Sequence, residues 1–355
     1  MKYPFKFVVT LGLLSLSYAE EMKLEIKPNG EFFGEIRQAL DGSNKNQISE
    51  KITRAIIGAT ATYEKDEYRI LIDVANYDSN TVKNTTKAQT MIIRNAYARV
   101  SDVIFNTSFT FGLQLTLPFI MQIRFTGDLF AVTPLQIDTK TTPGQDLGIM
   151  TSTQVSPSLF VKLFAAKGDG QLALNDKVDP KTKFGNDQRT FSAMIHNDVK
   201  SDFVWDIHGS YRPYHDYQVY SPATTLNGKI KPTSTTVYEP ETMGGIFMGY
   251  VFADFKVAAQ YLIMDNRGGI NSPKTLVQGS EGYVSTPSIK KFSLFISEQY
   301  TTTNALDDGK TTLVAGLQYT HNKYTKTALT YNQIDYQMAS LHSVSSLGVQ
   351  TEFRF

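Results

Sequence analysis

Apolar and polar residues alternate along most of this chain with a period of two. The clearest stretch runs from Phe105 to Leu117, where Phe, Thr and Leu face one way while Asn, Ser, Thr, Gly and Gln face the other. Such alternation predicts a strand with one apolar face and one polar face. Because the polar face is small and uncharged, it suits a crowded inner wall better than bulk water. Alternation of this length is the repeat unit of a transmembrane β-barrel.

The same alternation returns in segments that begin near Tyr68, Phe203, Ile246, Phe255 and Leu313. Their apolar rows are predicted to face lipid, and the residues between them to face the lumen. The predicted lumen wall includes Arg69, Asp73, Asp206, Lys256, Gln260 and Gln318.

Connections between these segments alternate between short and long, as in barrels with short periplasmic turns and long external loops. Aromatic residues flank several short turns and predict an interfacial girdle. Short turns are predicted at 64–67, 100–103, 156–157, 199–202, 253–254 and 321–323, and long loops near 41–51, 77–90, 118–145, 167–188, 211–241 and 265–279.

The number of strands follows from parity. About fifteen strands are visible, but an even number is required if both chain ends lie on the periplasmic side. We therefore place a weak strand at 281–288, turning at Ile289-Lys290, with Pro287 near its end. The fold class is all-β, an antiparallel transmembrane barrel of about 16 strands, a size that leaves an aqueous channel.

The N-terminus predicts export. Lys2 and Lys6 precede a short apolar stretch, Phe7 to Leu16, and small residues follow at Ser17 and Ala19. This is the pattern of a secretory signal peptide, so we expect residues 1–19 to be cleaved and residues 20–355 to form a single barrel domain. The alternative is a buried N-terminal element.

Composition excludes several classes of protein. The chain is 41% hydrophobic and 19% charged, and no segment after the N-terminus approaches the roughly 20 apolar residues of a spanning helix. It has no cysteine, so it is not a lipoprotein. With Lys2 and Lys6 removed, the formal net charge of +1 falls by two, and nothing points to nucleic acid as a partner.

The last residues alternate strictly. Leu347, Val349, Thr351, Phe353 and Phe355 share one face, and polar residues occupy the other. This ending resembles the final strand of bacterial outer-membrane proteins, which closes on Phe. The resemblance implies that Phe353 and Phe355 belong to a signal for the barrel-assembly machinery.

The segment 118–145 is unusually apolar for an external loop. A loop of this kind would not stay in water, and we expect it to fold into the lumen, where irregular backbone at membrane depth lines a cavity or is buried in protein. Packing over the rim or into a neighbouring subunit is the alternative. Charges within the segment would then narrow the channel and determine its selectivity; the candidates are Arg124, Asp128, Asp138 and Lys140.

Signs of catalysis or metal binding are weak. His208 and Ser210 share a strand face, but the sequence shows nothing that would orient the histidine. Asp206 with His208, or His196 with Asp198, supplies two metal ligands, which do not make a site. The run Asp307-Asp308-Gly309 lacks the spaced ligands of a calcium loop. We therefore predict no enzyme, no metal and no cofactor.

A closer resemblance covers about 60 residues. Ala96-Tyr97, then Phe111-Gly112-Leu113-Gln114 running into Leu117-Pro118-Phe119, and later Asp146-Leu147-Gly148 look like the phosphate-selective porins with 16 strands. The resemblance implies that architecture and a homotrimer. It does not imply a preference for phosphate, because the arginine and lysine ladders of those porins are missing from this near-neutral chain.

Two functions follow as hypotheses. The first is an outer-membrane porin that admits small hydrophilic solutes or ions by passive diffusion, in contact with membrane lipid and lipopolysaccharide. The second is a barrel with a surface-binding or structural role, in which the pore is incidental or plugged. Long external loops, such as those at 211–241 and 265–279, would serve the second.

Overall fold

The computed structural model describes residues 24–41, 45–75, 90–126, 135, 145–167, 189–198, 200–226, 229–266, 275–303, 309–337 and 342–355. These residues form a closed antiparallel barrel of 16 strands, in which each strand pairs with its sequence neighbours and the last pairs with the first. The predicted fold class is confirmed. No helix in these ranges is long and apolar enough to cross a membrane. Residues 1–19 lie outside the described ranges, so the signal peptide stays a prediction.

The elements follow one another without crossovers. In chain order they are β1 (Leu24–Ala39), β2 (Ile48–Tyr63), β3 (Asp66–Ala75), β4 (Thr90–Ile104), β5 (Thr107–Leu115), α1 (Leu117–Thr126), β6 (Gln145–Ser156), β7 (Leu159–Ala166), β8 (Thr190–Asn197), β9 (Phe203–Leu226), β10 (Lys229–Phe252), β11 (Phe255–Asn266), β12 (Thr275–Ser285), β13 (Phe292–Thr303), β14 (Lys310–Asn322), β15 (Thr325–Tyr336) and β16 (Val344–Arg354).

Alternation in sequence becomes alternation in exposure. On β16, Leu347 and Val349 are 41% and 44% exposed on the outer surface, while Ser346, Gln350 and Glu352 are buried inside. The same holds on β9, where Ile207 is exposed between buried neighbours. Successive side chains on a strand point to opposite faces, so the exposed rows form the apolar belt of a transmembrane barrel.

The two rims of the barrel differ. At one rim, here the short-turn rim, tight connections join the strands, and positive φ angles occur at both residues of Phe105-Asn106, Ala253-Asp254 and Lys290-Lys291. Such angles are those of the hairpin turns that match strand twist. Exposed aromatic side chains lie at this rim, where the sequence predicts an interfacial girdle: Phe105, Phe203, Phe252, Phe255, Phe292, Tyr324 and Phe355.

Several predicted boundaries are wrong. The turn expected at 100–103 lies at Phe105-Asn106, because a register irregularity between Val100 and Ile104 lets β4 run on. The weak strand expected at 281–288 exists, but it runs from Thr275 to Ser285 and ends before Pro287. Proline has no N–H to donate to a ladder, so the strand ends before it.

The region 211–241, predicted as a loop, is mostly a hairpin. β9 and β10 continue to pair with each other from Tyr211 to Leu226 and from Lys229 to Thr242, past the last pairs with β8 and β11. Thr, Val and Tyr favour extended backbone there. The register shifts around Pro232 and Pro240, and bulges of this kind accommodate residues that cannot donate. The hairpin therefore extends the long-connection rim.

The barrel closes where β1 meets β16. Backbone hydrogen bonds of 3.0 and 2.9 Å join Gly30 and Phe355 in both directions, and the Phe355 ring stacks on Phe32. A side chain at residue 30 would collide with the Phe355 ring, since a Cβ there would lie 2.1 Å from it. The terminal phenylalanine thus completes the seam.

Candidate functional site

The described part of the segment 118–145 lies inside the barrel. Residues Leu117–Thr126 form α1 rather than irregular loop, and α1 lies against β8, β9 and β10. The strand predicted to continue to Leu117 ends at Leu115. The helix was missed because its run is apolar on nearly every side and shows no single face; such a helix is stable only when buried. Pro118 suits the first turn, where its missing N–H has no helical partner.

The helix packs on an apolar part of the lumen. Phe119 and Met121 are each 1% exposed, and the ring of Phe125 meets that of Phe247 edge-on at 5.7 Å. We call the facing surface the apolar wall. Its inward-facing members are Met150, Phe164, Met194, Val204, Phe247, Ala258, Tyr283, Phe295, Val314 and Ala328.

Two charged residues on the side that α1 packs against, Glu281 and Lys256, hold the helix by hydrogen bonds. Glu281 on β12 accepts a hydrogen bond of 2.7 Å from Gln122 Nε2. Lys256 on β11 donates from Nζ to the carbonyl of Phe125 at 3.2 Å. A cation at a helix C-terminus satisfies a free carbonyl and complements the helix dipole. The segment is therefore held through polar contacts as well as apolar packing.

The opposite side of the lumen is charged and open. On β16, β1, β3 and β4 the inward rows carry acidic and basic residues in contact: Arg37 with Glu35, Arg354 with Glu352, and Arg99 with Glu67. The side chains of Arg37, Arg99 and Arg354 stay 36%, 35% and 38% exposed although they point inward. We call this surface the charged wall. Inward exposure of this kind means that water reaches it, whereas α1 covers the apolar wall.

A polar cavity of about 330 Å³ opens below the end of α1, towards the short-turn rim. Its lining includes Thr126, Asp254, Lys256, Ser285, Thr286, Ser293 and Gln318. It forms a vestibule between α1 and the turns at this rim.

The predicted lumen residues occupy inward positions. Asp73 and Asp206 are fully buried, Gln260 is 4% exposed, and Arg69, Lys256 and Gln318 are half-buried. Their neighbours Tyr68, Ile70, Ile207, Val257 and Leu317 are exposed on the outer face. Their roles in passage stay predictions.

The constriction candidates are divided by position. Arg124 belongs to α1, whereas Asp128, Asp138 and Lys140 lie outside the described residues. The run at 307–308 also lies outside them. Their contribution to the passage stays a prediction.

The histidine on β9 has an orienting partner that the sequence did not reveal. Asp206 Oδ1 lies 2.6 Å from His208 Nδ1, and both side chains are fully buried. The other ring nitrogen, Nε2, has no hydrogen-bond partner within the described residues and lies over Gly245. An activated serine would need that nitrogen. The described residues of the chain contain no group of three His, Cys, Asp or Glu that could hold a metal.

Sequence reasoning missed the charged pairs of the charged wall. Glu31, Glu35, Glu67, Arg99, Glu352 and Arg354 each stand at an alternate position within a strand, a signal that was available. The pair that crosses strands could not be predicted, because Arg99 meets Glu67 only through the register of β3 and β4. The other two pairs join alternate residues of a single strand.

Comparisons with known proteins agree with this architecture. No protein-family model matches the chain, and no curated protein matches its sequence. OmpT of Vibrio cholerae is similar in structure with a TM-score of 0.63 at 13% identity, covering 94% of this chain and 98% of that one. The chain has the fold of outer-membrane barrels.

Two further similar structures are those of pore proteins. The anion-selective porin from Comamonas acidovorans matches with a TM-score of 0.63 at 11% identity, covering 94% of this chain and all (100%) of that one. The outer membrane channel DcaP of Acinetobacter baumannii matches with a TM-score of 0.60 at 11% identity, covering 94% and 97%. At these identities the likeness is one of fold.

Proposed function

We propose that this protein is an outer-membrane porin, a water-filled channel for passive diffusion of small hydrophilic solutes or ions. The observation that carries the proposal is the exposure of inward-facing arginines on the charged wall. A plugged barrel would bury them as the apolar wall is buried. The structural similarity to an anion-selective porin and to an outer membrane channel supports the same conclusion.

In this proposal α1 narrows the lumen from the apolar wall, and solutes pass along the charged wall. Charges act more strongly in a narrow passage with low-dielectric walls than in bulk water. Because both signs alternate on the charged wall, we expect weak selectivity between cations and anions. The candidates for charges at the narrowest point remain Arg124, Asp128, Asp138 and Lys140. Arg124 lies on α1 two residues after Gln122, and the other three stand on either side of Leu135 in the sequence.

The proposal is tested with purified protein in planar bilayers. We expect discrete conductance steps that scale with salt concentration, and swelling of liposomes in sugars small enough to pass. The same preparation denatured by boiling serves as the control. Absence of steps from protein shown to be folded would contradict a porin.

The proposal includes export and assembly. We propose cleavage after Ala19, insertion by the barrel-assembly machinery, residence among lipid and lipopolysaccharide, and a homotrimer. Support comes from the apolar belt, from the contacts of Phe355 at the seam, and from a Vibrio cholerae OmpT structure described as a trimer form. Deleting Phe355 should leave protein in the periplasm, whereas normal outer-membrane levels would count against the assembly signal.

The second candidate, a surface-binding or structural barrel, is favoured by the hairpin of β9 and β10. Beyond Tyr211 and Thr242 its two strands pair only with each other among the described residues. Shortening the hairpin should leave conductance unchanged if the protein is a porin. A barrel that conducts nothing with or without the hairpin would favour the second candidate.

A further inference from the structure

Glu281 is a buried carboxylate that receives hydrogen bonds from several elements. It lies on the inward face of β12, is 8% exposed, and stands opposite Gln260 on β11 and Gln299 on β13. Gln122 Nε2 donates to it at 2.7 Å and Ser297 Oγ at 3.2 Å. The side chain of Gln299 and the backbone N–H of Leu135 also donate to it.

These donors connect the wall to both parts of the inward segment that the structure describes. Gln122 belongs to α1, and Leu135, which is fully buried, follows α1 in the returning chain. Ser297 and Gln299 belong to β13 and fix the carboxylate from the wall side. A carboxylate accepts hydrogen bonds on two oxygens with about four lone-pair positions, so Glu281 can satisfy all four donors.

The neighbouring packing leaves space beside this contact. A gap of about 10 Å³ lies between α1 and the wall, lined by Gln122, Thr126, Phe247, Gln260, Glu281 and Tyr283. This is about the volume that one water molecule requires. Apolar contact is therefore incomplete where Gln122 meets the wall, and the hydrogen bonds to Glu281 hold the segment there.

We propose that Glu281 is the positioning residue of the constriction, and that it determines how wide and how steady the passage is. The proposal rests on the proposed channel function and adds to it the residue that regulates the aperture. Glu281 itself faces α1 rather than the charged wall. Its effect on permeating ions is therefore indirect and acts through the position of the segment.

The test uses single-channel recording of the full chain with Glu281→Ala, Glu281→Gln and Gln122→Ala. Glu281→Ala removes all four hydrogen bonds to the carboxylate and leaves buried donors unsatisfied. It should raise the frequency of current fluctuations by roughly tenfold. Glu281→Gln should act less, because its amide oxygen still accepts while its NH₂ group faces donors. Gln122→Ala should act least, because it removes a single bond.

Two comparisons separate positioning from a general loss of structure. Glu281→Ala combined with Gln122→Ala should fluctuate no more than Glu281→Ala alone, because the two changes remove the same bond. Glu67→Gln on the charged wall, where the carboxylate is 27% exposed, should shift the reversal potential in a salt gradient without added fluctuation. Glu281→Gln should increase the current fluctuation and leave the reversal potential nearly unchanged.

The outcomes distinguish the two proposals. If the unaltered protein forms no channel, the proposed function fails. If it conducts, and Glu281→Gln and Gln122→Ala fold yet fluctuate like the unaltered channel, Glu281 does not position the segment. A shift of the reversal potential by Glu281→Gln as large as that of Glu67→Gln would also overturn the proposal.

Discussion

The two sides of the lumen arise from the same alternating pattern and end in opposite states. On the charged wall the inward positions carry Arg and Glu, and the arginines keep about a third of their surface in water. On the apolar wall the inward positions include Met194, Phe247 and Phe295, which are nearly fully buried. Alternation therefore determines which side chains point inward, but their chemistry determines whether the space before them stays open.

The apolar wall explains why α1 lies where it does. Inward-facing Met and Phe would expose apolar area to lumen water, at a cost of roughly 25 cal/mol per Å². The apolar residues of α1 would carry the same cost if they were exposed, and packing the two surfaces together removes both from water. Against the charged wall α1 would bury ionised groups at a much higher cost. The position of α1 follows from this difference.

The largest effect should come from a charge placed between α1 and the apolar wall. Met121→Asp puts a carboxylate at a position that is 1% exposed, and an unpaired charge is not tolerated there. We expect α1 to leave the wall and the single-channel conductance to rise substantially. The matched control is Ile123→Asp on the same helix, where the side chain is only half-buried. Equal conductance of both variants and the unaltered protein would show that α1 does not obstruct the passage.

A smaller effect is expected from single charges on the charged wall. Arg99→Gln should shift the reversal potential towards cation preference and Glu67→Gln towards anion preference, because each leaves its partner's charge in the passage. The double variant should return close to the original value. Lys162 is a buried residue of β7, two positions before Phe164 of the apolar wall. Lys162→Met should shift the reversal potential far less than Arg99→Gln does. A shift by Lys162→Met equal to that of Arg99→Gln would break the distinction between the walls.

The smallest effect concerns the seam within the charged wall. Asp41, at the long-connection rim, accepts hydrogen bonds of 2.6 Å from both the backbone N–H and the hydroxyl of Ser345. These bonds lower the pKa of Asp41 below its ordinary value of 3.8. A lowered pKa contributes stability above the ordinary value, and that stability is lost as the pH falls through the lowered one.

Asp41→Asn should therefore lower the unfolding temperature slightly at neutral pH and by less at pH 2, measured by circular dichroism in detergent. Ser345→Ala removes one of the two bonds and should act in the same direction. An equal loss at both pH values would contradict a contribution from the ionised carboxylate.

Much of the fold follows from local sequence. Rows such as Phe203 to Ser210 reveal both the strand and its lipid-facing side, because the period of two is a property of the backbone itself. The inward position of α1 and Leu135 within 118–145 also follows, since so apolar a segment requires burial. The predictions failed where tertiary context decides: α1 has no amphipathic signal, and the hairpin at 211–241 continues through four prolines by shifting register.

The candidate site was less accessible to sequence reasoning. Glu281 lies in the strand predicted at 281–288 and observed at Thr275–Ser285, and its donors come from residues as distant in sequence as Gln122. His208 was predicted to lack an orienting group because Asp206, two positions away on the same face, was considered only as a metal ligand beside it. Contacts of this kind depend on register and on which strands become neighbours.

The central claim is that the open passage follows the charged wall while α1 seals the apolar wall. Because the chain has no cysteine, single cysteines report accessibility directly. Cysteine placed at Arg37 or Glu67 should react with a charged, water-soluble thiol reagent and reduce the single-channel current as it reacts. Cysteine placed at Met194 or Ala258 should not react while the channel is open. Similar reaction rates at all four positions, with similar loss of current, would contradict the account.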